Sequence, residues 1–164
     1  DEVKVNPKVL TAIKEADLIL ISMGSLYTSI IPDLLSSELL QAIDTCKAKI
    51  MYVCNMMTQP GETDDFKASD HLKVLNSYLG KKKISVVIAN NGPIPETMIK
   101  KYWKKEQKSP VILDKENIKD IELIDKDYVA VVDNVIRYQP DKLALDIYGY
   151  LLEGGDDHVL YSKN

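Results

Sequence analysis

Residues 16–29 read ADLILISMGSLYTS, and their first half decides the fold. Leu18 to Ile21 are apolar without alternation, the pattern of a parallel strand covered on both faces. Working outward, KIMYVCN (49–55) and KISVVIAN (83–90) show the same pattern. Between the first two strands lies SSELLQAIDTCK (36–47), with Leu39, Leu40, Ile43 and Cys46 on one helical face and Ser37 placed to cap it. Between the second and third lies ASDHLKVLNSYLG (68–80). There Ser69 can cap, Leu72, Leu75 and Leu79 face inward, and Gly80 ends the helix. Strands joined by helices imply right-handed crossovers and a parallel sheet. The expectation is an α/β, Rossmann-like three-layer sandwich.

After the third strand, NNGPIPE (90–96) turns the chain. The stretch 95–108 reads as a helix striped by Met98, Ile99, Tyr102 and Trp103. Short strands are expected near 111–113, 121–125 and 128–133, and a last helix at 140–152 opens on Pro140.

Composition narrows the function classes. The 164 residues carry a net charge of −4, so no overall positive field favours nucleic acid or an acidic membrane. No apolar run approaches the ~18 residues that span a bilayer. The first ten residues lack a signal-peptide core. A cytoplasmic setting is expected, without nucleic-acid or membrane partners. Cys46 and Cys54 sit in apolar surroundings without metal-ligand spacing and read as buried reduced thiols. Lysines 81–83 and those of 100–108 read as solvated faces.

Two loops carry the polar chemistry. In open parallel sheets, ligands bind beyond the carboxyl ends of the strands. Strand 16–22 runs into Gly24, Ser25, Tyr27, Thr28 and Ser29, whose small side chains and hydroxyls could meet phosphate oxygens at a helix start. Ordinary helix capping is the alternative. On this reading, a branched side chain at Gly24 would obstruct phosphate. Strand 49–55 runs into Asn55, Thr58, Gln59 and Thr63, with Pro60-Gly61 as a turn. Amides and hydroxyls at this density suit nucleobase edges or sugar hydroxyls, although a well-capped long loop would use them too. Asp64, Asp65 and Asp70 form a loose acidic group that could join Mg²⁺ to a diphosphate, or be solvated helix-start carboxylates. His71 lies one turn from the second loop and reads as a partly exposed helix residue.

GSLYTSIIPDLL (24–35), YVCNMMTQPGETDDFKASDHL (52–72) and NNGPIPE (90–96) resemble the gluconeogenesis-factor family of bacterial proteins. That family is related to the 2-phospho-L-lactate transferases. The resemblance runs from about residue 6 to about 152. It departs at Ser22-Met23, where the family shows Gly-Pro, and at Asp65-Phe66, where it often shows Gly-Tyr.

The resemblance implies a C-terminal half: residues 1–153 as part of a larger Rossmann-like domain and 154–164 as a tail. It implies a cytoplasmic regulator of gluconeogenic growth and cell shape that binds a nucleotide sugar such as UDP-N-acetylglucosamine at Gly24, Ser25, Tyr27, Thr28, Ser29, Asn55, Thr58, Gln59 and Thr63. No catalytic residue or protein metal ligand is named and no cofactor is required, though Mg²⁺ could accompany the nucleotide diphosphate. The alternative is a transferase-like enzyme moving a phospho group. A homo-oligomer through the sheet edge, or pairing with the family's other half, is also expected.

Overall fold

The computed structural model describes residues 4–152. Strands β1 (Leu18–Ile21), β2 (Lys49–Val53), β3 (Ile84–Asn90) and β4 (Glu122–Lys126) form one sheet in that order. All three neighbour pairs are parallel. Helices α3 (Ser37–Thr45), α4 (Ala68–Tyr78) and α5 (Glu96–Glu106) lie in the three crossovers.

Alternation along the strands sends side chains to two cores. Ile50 and Tyr52 of the second strand, with Cys54 just after it, join Val87 and Ala89 of the third under Ile43, Leu72 and Leu75. Met51, Val53, Val86 and Ile88 face the other way, against Tyr128 and Tyr150 with Ile136, Leu143 and Ile147. Ile50, Met51 and Tyr52 are wholly inaccessible to solvent, which is why their run is unbroken by polar residues. The second face is covered by β5 (Val129–Val132), β6 (Val135–Tyr138) and α6 (Pro140–Leu152). The result is the three-layer arrangement expected from the apolar runs.

Several local expectations are corrected. Residues 128–133 do not join the main sheet. β5 and β6 form a separate antiparallel hairpin, turning at Asp133 and Asn134 with φ of 51° and 61°. That left-handed pair is the two-residue hairpin turn whose twist matches its strands. Residues 111–113 form no strand. They strap the second loop, with Val111 N–H donating to Met56 O (2.9 Å) and Ala68 N–H to Ile112 O (2.9 Å).

The α3 cap is Ser36 rather than Ser37, its hydroxyl accepting from Leu39 N–H at 3.3 Å. Ser69 does not cap α4; Asp70 accepts the Lys67 N–H at 2.9 Å, and Ser69 binds Asp114 instead. That helix ends at Tyr78, two residues before Gly80, which lies tight against the Asp44 carboxylate. Asp44 accepts from Lys81 and Lys82 N–H groups, which hold its pKa below the ordinary carboxylate value.

Trp103 of α5 (Glu96–Glu106) is exposed rather than part of the apolar stripe. Lys82 and Lys83 are not simply solvated; both donate to backbone carbonyls. Helix α1 (Pro7–Glu15) was not anticipated, though Asn6 caps it and Pro7 opens it. Both cysteines are buried and free, and burial pushes the Cys54 thiol up to about 12. Among the described residues no helix is long and apolar enough to cross a membrane. The expected tail, 154–164, lies outside the described residues.

Candidate functional site

The pairing of β1 with β2 sets their following loops side by side. Asn55 joins the two loops. Its Nδ2 donates to Gly24 O (2.9 Å), while its Oδ1 accepts from the buried Tyr52 hydroxyl (2.8 Å). A second link is Ser25, whose Oγ donates to Glu62 Oε2 at 2.9 Å. Thr28 Oγ1 in turn donates to Ser25 Oγ at 2.5 Å.

After Ser25 the chain enters a wide helical turn, Leu26–Ile30, followed by α2 (Ile31–Asp33). Ser29 and Ile30 N–H groups donate to Ser25 O, and Gly24 N–H donates to Ser22 O. Those three backbone donors are therefore occupied. A Cβ on Gly24 would lie 3.4 Å from Ile30 Cγ1 and 3.5 Å from Ser29 Cβ. It would sit in ordinary van der Waals contact with its own turn.

The loops form one wall of a cleft of about 800 Å³. Ser25, Asn55, Thr58 and Gln59 line it, with Met23, Met56 and Met57 between them. Thr63 does not line it. Thr63 is buried, and its Oγ1 accepts Gln59 N–H (2.8 Å), closing the turn at Pro60-Gly61. Thr58 is also buried, exchanging hydrogen bonds with Ser109. Gly24, Tyr27, Thr28 and Ser29 are outside the lining, and the last three are exposed.

The opposite wall was not read from the sequence. It comprises Tyr102 and Lys108 at the end of α5, Ile136, Arg137 and Tyr138 of β6, and the start of α6. Two tyrosines fix it: Tyr138 Oη donates to Cys54 O (2.5 Å), and Tyr102 Oη accepts from Ile136 N–H (3.1 Å). Burial raises the Tyr138 pKa, so this hydroxyl keeps its proton. Lys108 pairs with Glu106 at 2.7 Å. Arg137 is the chain's only arginine. Its guanidinium makes no hydrogen bond or ion pair with a described residue. A lone arginine on an edge-exposed strand could have marked this wall, but nothing in the linear spacing ties residue 137 to residue 25.

His71 is buried, not partly exposed, with Nδ1 3.0 Å from Lys67 O and its ring edge-on to Phe66. It does not line the cleft. The magnesium implied by the transferase resemblance would meet a scattered acid group. Asp64 Oδ2 accepts Gly61 N–H and Asp70 Oδ2 accepts Lys67 N–H. Among the described residues no three His, Cys, Asp or Glu side chains converge as a metal set. These carboxylates do not fit a protein-built magnesium cage, and an ion would depend mainly on phosphate oxygens.

Comparison with known proteins places this arrangement. Residues 1–129 match the family model described as 2-phospho-L-lactate transferase CofD. The gluconeogenesis factor of Bacillus subtilis is 41% identical over 140 residues, covering 84% of this chain and 44% of that protein. That of Listeria innocua is 38% identical over 146 residues, covering 88% and 44%. A crystal structure of a Bacillus halodurans protein superposes with a TM-score of 0.83 at 37% identity, covering 88% of this chain and 47% of that one. The chain thus spans a little under half the length of these relatives. It belongs to the 2-phospho-L-lactate transferase CofD family and is a homologue of the bacterial gluconeogenesis factors.

Proposed function

We propose that this chain forms part of a cytoplasmic nucleotide-sugar-binding regulator of gluconeogenic growth and cell shape. Its ligand is a UDP-sugar such as UDP-N-acetylglucosamine, held in the cleft between the two loops and the β5–β6 hairpin. The observation that carries this reading is the pairing of opposite walls. Two polar loops, latched by Asn55, face an arginine that has no partner among the described residues. Guanidinium groups suit phosphate oxygens because their planar fork donates two parallel hydrogen bonds. Asn55 and Gln59 offer amide chemistry for a base or sugar. The cleft volume is within the range of small-molecule sites. The name of the relatives supports the gluconeogenic setting.

Calorimetric titration with UDP-N-acetylglucosamine tests this. Arg137→Gln should weaken binding about tenfold or more, the loss of a charge-assisted contact, with little change in the thermal melt. Unchanged affinity would remove the cleft from the site. The family match favours a second reading, transfer of a phospho group. Release of product from a nucleotide diphosphate donor on incubation with an alcohol acceptor would support it.

A further inference from the structure

Resting on the reading that a nucleotide sugar fills the cleft, we propose that Gln59 reads the ligand's base. Its side-chain amide pairs with the uracil edge, and the base lies against the methionine and tyrosine surface of the same cleft. Two amides line that cleft, and the fold treats them differently. Asn55 is engaged at both ends of its amide, Nδ2 donating to Gly24 O and Oδ1 accepting from the Tyr52 hydroxyl. It fixes the wall. Gln59 is held by its backbone instead. Its N–H donates to Thr63 Oγ1 at 2.8 Å, and its carbonyl accepts from Glu62 N–H at 3.1 Å and Thr63 N–H at 2.8 Å. Its amide makes no hydrogen bond with a described residue. A pinned main chain thus carries a free donor and a free acceptor at the cleft wall.

The rest of the lining selects the part of the ligand that lies there. Met23, Met56 and Met57 line the cleft, with Ile136 and Leu143 on the other wall. Tyr102 and Tyr138 add ring surface, because their hydroxyls are engaged with Ile136 N–H and Cys54 O. A diphosphate gains nothing from such a surface, whereas the Arg137 guanidinium suits it. A hexose, ringed by hydroxyls, needs several polar partners at once. A base has two apolar faces and one edge of donors and acceptors, which is what an apolar surface with one free amide accommodates. Thioethers pack favourably on aromatic rings and adapt to their shape. In uracil, N3–H donates beside the O4 acceptor. A glutamine amide meets that pair in one plane, Oε1 accepting and Nε2 donating.

Calorimetric titration of the full chain and its Gln59→Met variant with UDP-N-acetylglucosamine, UDP and UDP methylated at N3 tests this, beside thermal melts. Wild type should bind N3-methyl-UDP about tenfold more weakly than UDP, since the methyl group removes the donor. Gln59→Met should bind UDP and UDP-N-acetylglucosamine about tenfold more weakly than wild type, and should no longer distinguish UDP from N3-methyl-UDP. Its melt should match wild type, because the amide has no described partner to lose. Equal binding of UDP and N3-methyl-UDP by wild type would overturn the assignment, and this arm stands whether or not the variant folds. So would a methyl penalty that persists in the variant, or a variant that weakens UDP-N-acetylglucosamine while leaving UDP unchanged, which would place the amide on the hexose. If wild type binds neither UDP nor UDP-N-acetylglucosamine, the cleft reading itself fails and the base assignment with it.

Discussion

At the residue scale, Asn55 and His71 show how identity and placement divide the work. Asn55 was legible as a polar group after a strand. Its task as the bridge between loops was not, because Gly24 is 31 positions away in sequence and is reached only through the β1–β2 pairing. Asn55→Ala should free the Gly24 carbonyl and the Tyr52 hydroxyl, and cost about 1–3 kcal/mol in chemical denaturation. The same variant should lower ligand affinity by loosening the wall. His71 is nearly inaccessible, and burial lowers its pKa from the ordinary 6.5. A lowered folded pKa means the unfolded chain takes up the proton first as pH falls. The stabilisation from neutral His71 is therefore complete above pH 6.5 and fades below it. Denaturation at pH 7.5 and pH 5.5 should show a drop that His71→Gln reduces; an equal drop in both proteins would contradict the burial argument. Sequence placed His71 on the helix but not its face, because Phe66 and the backbone of Lys67 supply the environment.

At the element scale, the long apolar runs announced β1 to β3 and the helices between them; β2 and β3 are buried on both faces, whereas β1 is only partly covered. The hairpin was less visible. Its strands are only four residues long and half exposed, the first does not alternate, and its turn is Asp133-Asn134 rather than a glycine pair. Both residues tolerate the left-handed region, which is why the turn works. A β-branched residue there would not. Asn134→Val should cost about 1–3 kcal/mol of backbone strain and weaken ligand binding, because the hairpin carries Arg137. Asn134→Gly should keep both properties. A thermal melt paired with titration checks this; an undisturbed Val variant would show that the hairpin turn is not under this constraint. The stretch 111–113 reads as a strand for a similar reason: Val111 and Leu113 are apolar, but the segment braces the second loop.

At the scale of the whole molecule, β1 stands at the edge of the sheet, with Leu20 44% exposed. Unpaired strand edges recruit other chains unless blunted by charge. Self-association is expected in light scattering, and Leu20→Lys should shift the population toward monomer; a monodisperse wild-type monomer would contradict this. The family and the architecture were both legible, because three apolar strand runs and the MTQPGETD loop are local signals. The cleft was half legible. One wall follows the strands in sequence, whereas the other is assembled from residues 102–143 and exists only once α6 and the hairpin cover the second face. The central claim is that these two walls hold one nucleotide sugar. A crystal structure with UDP-N-acetylglucosamine tests it most directly. The account predicts ligand density between Asn55 and Arg137, with the diphosphate on the arginine. Density in another hollow, such as that between Lys67 and Lys119, with this cleft unchanged, would contradict it.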